Sequence, residues 1–324
     1  MIVCIQKSLL LLAAGAYVLS GVVWAQDRSA PTGGMDAGVV FRAGIDVVTL
    51  SAAVRDGSGQ VVRNLERTDF QVLDTGIERG ISDFHAGDAP VSLGVLLDIS
   101  GSMALGDNID RARGAVDIAM GMLSGTGDEA ALYTFDATLA EAAAFTQNLD
   151  AIRSISLAGQ PWGATSLYDA IGAAAERVAE RANRHRALLV ITDGVDTASS
   201  LNAAEVSSIA SAIDVPVYIV TVATPRDLPE ADRMRLSVDG VRSYVGTLAD
   251  LARWTGGHMK IASTPDHAVE AIGVVFAELR HQYVITFESG AAPGWHPIQV
   301  RTHDNTFTVH ARSGYVSGPS ASDR

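Results

Sequence analysis

Cysteine is nearly absent from this chain. Its 324 residues contain a single one, Cys4, which lies in the stretch of residues 1–25. Without that stretch the chain has no thiol, which excludes a disulfide framework and a cysteine metal site.

Basic and aromatic residues are also scarce. Lys and Arg number 24 against 37 Asp and Glu, so the formal net charge is −13, and aromatic residues make up only 6%. An acidic protein repels phosphate, which argues against nucleic acid or an anionic membrane surface as the main partner. Hydrophobic residues make up 48%, and the dominance of Ala, Val, Leu and Gly is typical of α/β proteins. The length is enough for one large domain and a smaller one.

The N-terminus has the pattern of an export signal. Lys7 precedes an uncharged run from Ser8 to Trp24, and small residues stand at the two positions that a signal peptidase reads, the second being Ala25. We predict a cleaved signal peptide over residues 1–25 and a linker over 26–38. The mature chain would then be periplasmic, exposed on the cell surface or secreted, without a transmembrane span. The alternative is an uncleaved membrane anchor, for which the run is a little short.

A nearly unbroken apolar run, Val91 to Leu97, predicts a central strand that is buried on both faces. The run ends at Asp98, and Ser100 and Ser102 follow at alternate positions around Gly101. In open α/β sheets, ligands bind at the carboxyl ends of the strands. These three oxygen-bearing side chains are therefore candidates for a binding site.

Strand and helix patterns alternate over residues 91–281. This alternation predicts a doubly wound α/β domain with a central, mostly parallel sheet and helices on both faces. Short strands and turns occupy 39–90 and 282–316, and 317–324 has the composition of a loose tail. Neither β segment looks complete alone, because its few short strands would leave an edge and a face uncovered. We expect the two segments to pair into one small β-sandwich-like module.

Two further loops of the α/β part carry oxygen ligands. Thr165 lies just before a predicted helix, and Asp193 directly follows a predicted buried strand. In a doubly wound sheet these loops share one rim with the end of the central strand. The candidate metal ligands are Asp98, Ser100, Ser102, Thr165 and Asp193.

The chemistry of these ligands selects the metal. Two carboxylates and three hydroxyls, without His or Cys, suit a hard dication, Mg²⁺ or Mn²⁺, in near-octahedral oxygen coordination. The hydroxyls carry no charge, so such a site favours one more anionic oxygen from outside, such as an Asp or Glu of another protein. Taken one at a time, the same residues would be ordinary cap or turn residues. The three loops together predict metal binding.

The segments D-x-S-x-S, T-x-L-Y-D-A and T-D-G, in this order, resemble von Willebrand factor type A domains and their metal-ion-dependent adhesion site. The resemblance covers the predicted α/β domain, and all five metal positions match. It implies that Ser100, Ser102 and Thr165 coordinate Mg²⁺ directly or nearly so, whereas Asp98 and Asp193 act largely through water. It also implies that a ligand's carboxylate completes the metal shell, and that Thr165 shifts between open and closed states.

The flanking segments narrow the resemblance. L-E-R-T-D-F from Leu65, L-R-H-Q-Y from Leu279 and R-S-G-Y from Arg312 are similar to a bacterial group of secreted proteins with a VWFA-related domain (acidobacterial type). Ala164 stands where a second glycine is usual, which removes no metal ligand. The resemblance implies a class of mechanism and no named partner.

Several residues beside the metal positions are candidates for indirect roles. Trp162 could flank a bound carboxylate or simply pack. Asp169 fits the first turn of a helix or a hydrogen bond to a ligand, and Asp196 fits a loop or cap position. The polar segment 225–240 should overhang the rim, either to shape partner choice or as a solvated excursion. The full set beside the ligands is Gly101, Trp162, Asp169, Gly194 and Asp196.

Motifs for catalysis are missing. A haloacid-type phosphatase needs a second Asp where this chain has Ser100, and the sequence contains no G-x-S-x-G elbow or P-loop. An oxygen-only metal site with no obvious general base lacks the parts for hydrolysis. His296, His303 and His310 are evenly spaced, but they fall on and between β segments, which does not favour a zinc site. We therefore expect a binding protein and not an enzyme.

The function expected from these features is that of an exported adhesion or scaffolding module, which binds a protein through a Mg²⁺-bridged acidic residue. Two alternatives stay open. One is a structural envelope protein whose metal only rigidifies the rim, and the other is a regulatory subunit of a larger envelope complex. The sequence identifies neither the partner nor the oligomeric state.

Overall fold

The computed structural model describes residues 47–123, 126–155, 157, 159–222, 245–290 and 293–317. The predicted signal peptide, the linker and the polar segment 225–240 lie outside the described residues. Among the helices of the described part, none is long and apolar enough to cross a membrane.

Strands and helices follow one another much as the sequence predicts. The described strands are β1 (Val47–Arg55), β2 (Phe70–Asp74), β3 (Ile77–Arg79), β4 (Ile81–His85), β5 (Val91–Asp98), β6 (Glu129–Phe135), β7 (Leu139–Thr146), β8 (His185–Thr192), β9 (Val217–Thr221), β10 (Met259–Ile261), β11 (Tyr283–Glu288), β12 (Gly294–Thr302), β13 (Thr308–Ala311) and β14 (Gly314–Ser317). The described α-helices are α1 (Asn108–Met122), α2 (Leu149–Arg153), α3 (Leu167–Ala179), α4 (Ala203–Ala212), α5 (Val245–Trp254) and α6 (Pro265–Arg280).

The central sheet has the spatial order β10-β9-β8-β5-β6-β7. Its strands pair in parallel except for β7, which runs antiparallel to β6 at one edge. Every residue of β5 is buried, because helices cover both faces of the sheet. Leu93, Val95 and Leu97 point into one apolar core with α1 and α6, and Leu96 points into the other with α3. The predicted doubly wound fold is confirmed.

The β segments on either side of the α/β part pair with each other. β1 lies between β11 and β13 in a sheet of order β13-β1-β11-β4, and β2 pairs with β12 in a second sheet of order β14-β12-β2-β3. The two sheets share one apolar core, in which Leu50 and Ile285 of the first sheet meet Val72 and Ile298 of the second. The predicted pairing of the two segments is therefore confirmed.

The sandwich and the α/β part pack into one compact unit. A buried side chain, Arg312, joins them at one point. Its guanidinium donates hydrogen bonds to the carbonyl oxygens of Ser211, at the end of α4, and of Thr49 in β1. Oδ1 of Asp214 lies 3.5 Å from Nε of Arg312 and supplies the opposite charge.

Three short elements, β3, α2 and β14, were not predicted from the sequence. β3 follows β2 through a two-residue turn in which Thr75 and Gly76 both have positive φ. The pattern there indicates the turn but not the return strand, because β3 has only three residues, two of them exposed. α2 and β14 have five and four residues, too few for a period to show.

Gly94 allows α3 to approach the centre of the sheet. A methyl group at this position would lie 2.6 Å from Cγ2 of Val178 and 3.2 Å from Cδ1 of Leu188. We expect Gly94→Ala to lower the free energy of unfolding by about 1–3 kcal/mol, as overpacking of a core does. Gly114→Ala is the matched control, because a methyl group there meets nothing within 4 Å and alanine favours a helix by up to about 1 kcal/mol. Chemical denaturation measures both, and equal effects would contradict this account.

His185, at the start of β8, is a buried imidazole whose pKa burial lowers to about 4, an effect that Asp88 only partly opposes. The unfolded chain takes up this proton near pH 6.5 and the folded chain only near pH 4, so stability falls as the pH drops through this range. The full shift corresponds to about 3 kcal/mol. We expect His185→Gln to lose less stability than the wild type between pH 6.5 and pH 4 in urea titrations. His303→Gln, at an exposed histidine, should follow the wild-type curve.

Candidate metal centre

Three loops meet at the carboxyl edge of the central sheet. Asp98 is the last residue of β5, Asp193 follows β8, and Thr165 lies two residues before α3. The side chains of Asp98 and Ser100 are fully buried, and Thr165 and Asp193 are 2% and 8% exposed. Ser102 is half-buried. All five predicted ligands therefore lie at this edge.

Hydrogen bonds join the first loop to the third. Asp98 accepts from the Ser100 amide at 2.9 Å and from the Thr192 hydroxyl at 2.6 Å. The Ser100 and Ser102 hydroxyls lie 3.2 Å apart. Ser102 in turn hydrogen-bonds the carboxyl group of Asp193. Asp98, the two serines and Asp193 thus form one connected polar cluster.

The second loop is held against both of the others through its backbone. The Trp162 amide donates to the carbonyl of Ile99 at 3.0 Å, and the Gly101 amide donates to the carbonyl of Gly163 at 3.0 Å. The Thr165 amide donates to the Thr197 hydroxyl at 2.9 Å. Backbone contacts therefore fix the position of Thr165 relative to both aspartates.

Two glycines are needed at this edge for backbone reasons. Gly101 lies where two loops approach closely, and Gly194 has a positive φ. A Cβ atom at Gly101 would lie 3.2 Å from the carbonyl oxygen of Gly163, within the hydrogen bond that joins the loops. Gly194 has φ +90°, a conformation that side chains with a Cβ rarely adopt. Its amide donates to the Thr192 hydroxyl at 3.0 Å, which orients that hydroxyl toward Asp98. Both glycines shape the cluster through the backbone.

The remaining candidates beside the site have separate roles. Asp169 accepts from the amides of Ser200 and Leu201, and Asp196 accepts from the Leu167 amide at the start of α3. Asp196 thus pairs with an amide at the start of α3 from the next loop, and Asp169 ties the first turn of α3 to the same loop. Trp162 is 80% exposed, so the interpretation of this residue as a packing residue is wrong.

The two aspartates of the cluster are buried like charges. Burial and the nearby charge of Asp193 raise the pKa of Asp98 to about 6. Burial also raises the pKa of Asp193, although the hydrogen bond from Ser102 opposes this change. Within the described residues no Lys, Arg or His forms an ion pair with either carboxyl group. Two unneutralised carboxyls with three hydroxyls fit a hard dication such as Mg²⁺ or Mn²⁺.

Two polar groups that support the site were not predicted from the sequence. The hydroxyl of Thr192 is the donor to Asp98, and the carbonyl of Asp136 accepts from the Ser166 amide at 2.8 Å. Both residues stand at the end of a central strand, as Asp98 does, and that position was the available signal. Their roles depend on contacts across loops, which sequence spacing does not show.

The three evenly spaced histidines do not come together. His296 pairs with the buried Asp74 at 2.9 Å, His303 is exposed, and His310 lies 3.3 Å from Glu278.

This fold and this site define a class of protein: α/β proteins with an oxygen-lined cluster at the carboxyl edge of the central sheet. The von Willebrand factor type A domain family matches residues 93–195, which include every candidate ligand. Over these residues the chain therefore contains a von Willebrand factor type A domain, a class of domain that takes part in protein–protein interaction.

Among individual proteins, the chain resembles solved structures at low identity. No curated protein matches the chain. A variant of an aerotolerance-related membrane protein from Bacteroides fragilis is 21% identical over 58% of this chain and 98% of its own, with a TM-score of 0.45. A von Willebrand factor type A protein from Catenulispora acidiphila is 11% identical over 83% and 74%, with a TM-score of 0.42. The PilB minor pilin from Streptococcus sanguinis is 11% identical over 60% and 62%, also with a TM-score of 0.42.

Removal of one buried carboxylate tests the repulsion within the cluster. We expect Asp98→Asn to raise the melting temperature of the metal-free protein at neutral pH, by about 1 kcal/mol in stability, because one of two like charges disappears. The matched control is Asp128→Asn. Asp128 is equally buried, but its carboxylate pairs with Arg280 at 2.5 Å. Its neutralisation should cost roughly 2 kcal/mol. A drop in melting temperature for Asp98→Asn in EDTA would contradict the account of the cluster.

Proposed function

We propose that this protein is an exported module that binds a protein partner through a divalent metal ion, Mg²⁺ or Mn²⁺, bridged to an acidic side chain of that partner. The observation that carries the proposal is the pair of buried aspartates, Asp98 and Asp193, beside three hydroxyl ligands and without a basic partner in the described chain. A dication would offset both negative charges. Its direct contacts would be uncharged hydroxyls, so the ion would still attract a carboxylate from outside.

The hydrogen bonds of the cluster support a division of roles among the ligands. Both oxygens of Asp98 already accept hydrogen bonds, from Ser100 and Thr192. This arrangement suits a carboxylate that acts on the metal through water and holds the loop in place. The hydroxyls of Ser100, Ser102 and Thr165 would then be the groups that contact the ion, which is the division that the family resemblance implies.

Trp162 supports a surface for the partner next to the metal. The indole is 80% exposed, and its backbone is tied to Ile99 at the edge of the metal loop. A large exposed aromatic side chain is typical of binding hot spots and unusual elsewhere on a surface. We infer that Trp162 packs against the residues that flank the bound acidic side chain.

We also infer that the chain acts outside the cytoplasm and binds without catalysis. The basic residue, apolar run and small residues of the first 25 positions support export. The absence of a general-base motif in the sequence supports a binding function.

A purely structural metal is the second candidate function. The repulsion between Asp98 and Asp193 favours it, because relief of this repulsion would stabilise the rim even without a partner. The two functions differ in one result. A structural metal raises the melting temperature but adds no affinity for any acidic ligand.

Selection of a random peptide library, displayed on phage, on the immobilised full chain tests the proposal. Selection in Mg²⁺ with elution by EDTA should enrich peptides that contain Asp or Glu. Replacement of that acidic residue by Asn or Gln should lower peptide affinity at least about 100-fold, as for a buried charge contact. Thr165→Ala should weaken binding of the same peptide, and Trp162→Ala should weaken it without loss of Mg²⁺ binding.

Thr306→Ala is the matched control, because this threonine lies in an exposed turn of the sandwich. It should leave both Mg²⁺ and peptide binding unchanged. Peptides that bind equally well in EDTA would exclude the metal bridge. A rise in melting temperature with Mg²⁺ but no enrichment of acidic peptides would favour the structural candidate.

A further inference from the structure

Buried polar atoms without partners concentrate where α6 of the α/β part meets β1 and β13 of the sandwich. His258 Nε2 and Gln282 Oε1 are buried and make no hydrogen bond to any group in the described chain. The hydroxyl of Tyr218 lies beside Glu278 and Gln282 but likewise makes no well-formed hydrogen bond to a described residue. Buried polar atoms are almost always paired. His310 Nδ1 also makes no well-formed hydrogen bond to a described residue, although it lies 3.3 Å from an oxygen of the buried Glu278. Unpaired polar atoms next to one buried carboxylate indicate a site that takes a ligand.

Two imidazoles face that carboxylate from different parts of the fold. Glu278 is on α6 and fully buried, His258 directly precedes β10, and His310 is on β13. His258 Nδ1 lies 3.1 Å from one carboxylate oxygen, and His310 Nδ1 lies 3.3 Å from the other. One ligand atom from each of the three residues falls within 4.8 Å of the others.

We propose that His258, Glu278 and His310 form a second metal site, which takes Zn²⁺ or a similar transition-metal dication. Two imidazole nitrogens and one carboxylate oxygen are a frequent ligand set for zinc. The set differs in chemistry from the oxygen-only cluster at the rim, which suits Mg²⁺. The two sites would therefore take different ions.

The observed distances fit this assignment. Zinc bonds of about 2.0–2.1 Å in a tetrahedral arrangement place neighbouring ligand atoms about 3.3 Å apart. His258 Nδ1 lies 3.1 Å from one oxygen of Glu278 and His310 Nδ1 lies 3.3 Å from the other. A metal bound to either oxygen therefore has one of the two nitrogens already at that spacing. Hydrogen bonds alone could account for these two separations, but they leave the hydroxyl of Tyr218 unpaired.

Arg55 limits the affinity of the site. Its Nε donates to Glu278 Oε1, the oxygen nearest to His310. This contact holds the carboxylate in place, as groups around metal ligands commonly do. The guanidinium also repels a metal ion at short range. Removal of its charge should therefore strengthen metal binding.

A metal at this site would join the two parts of the molecule. His310 belongs to the sandwich, whereas Glu278 and His258 belong to the α/β part. Because the ion holds ligands from both, its loss would weaken the contact between them. Its effect on stability would be independent of the rim site.

Titration of the full chain with Zn²⁺ tests the proposal. The chain carries Asp98→Asn, which removes one of the rim carboxylates so that binding at the rim does not contribute. The protein is stripped with EDTA, dialysed and titrated with Zn²⁺ against a chromophoric chelator. We expect one tight equivalent. His310→Ala in the same background should lower the affinity at least about 100-fold, since loss of a direct ligand exceeds the loss of a supporting contact. Arg55→Met should raise the affinity at least about tenfold.

His303→Ala is the matched control, because this histidine is exposed and is not one of the three proposed ligands. It should bind Zn²⁺ like its parent. His258→Gln serves as a second ligand variant if circular dichroism shows that His310→Ala does not fold. Absence of a tight equivalent would overturn the proposal. So would an affinity that the ligand variants leave unchanged, or one that Arg55→Met fails to raise.

Discussion

The burial of β5 on both faces is the constraint on which the rest of the molecule depends. Its apolar side chains supply both cores of the α/β part, so helices must cover the sheet on each side. This cover continues to the end of the strand, where Asp98 is fully buried. A carboxylate in such a place needs hydrogen bonds or an opposite charge. The loops around it supply the hydrogen bonds, and we propose that a metal ion supplies the charge.

The need to cover apolar faces also explains why the two β segments form one sandwich. Two short β segments, one on each side of the α/β part in sequence, cannot cover their own apolar faces. They pair with each other instead, through β1 with β11 and β2 with β12. Buried polar contacts join the sandwich to the α/β part at two points. Arg312 donates to the carbonyl oxygen of Ser211, and Arg55 donates to Glu278. Buried charged contacts of this kind are specific in geometry, so they define how the two parts fit together.

Much of the candidate site was predictable because its parts lie at the ends of strongly patterned elements. Asp98 and Asp193 directly follow apolar runs, and Thr165 directly precedes a helical pattern. The parallel sheet brings these positions to one rim. The supporting contacts were not predictable in the same way. Thr192 and Asp136 act through hydrogen bonds between loops, and the exposure of Trp162 depends on how its loop is held.

Hydrophobic period and strand ends are local properties, so they predict the order of the elements, the doubly wound sheet and the five residues gathered at its edge. Packing between distant segments sets which oxygens are already paired, which charges are left without partners in the described chain and where distant histidines meet. His258, Glu278 and His310 come from a loop, a helix and a strand of two different parts of the fold. No spacing along the chain relates them, because packing between the sandwich and the α/β part brings them together.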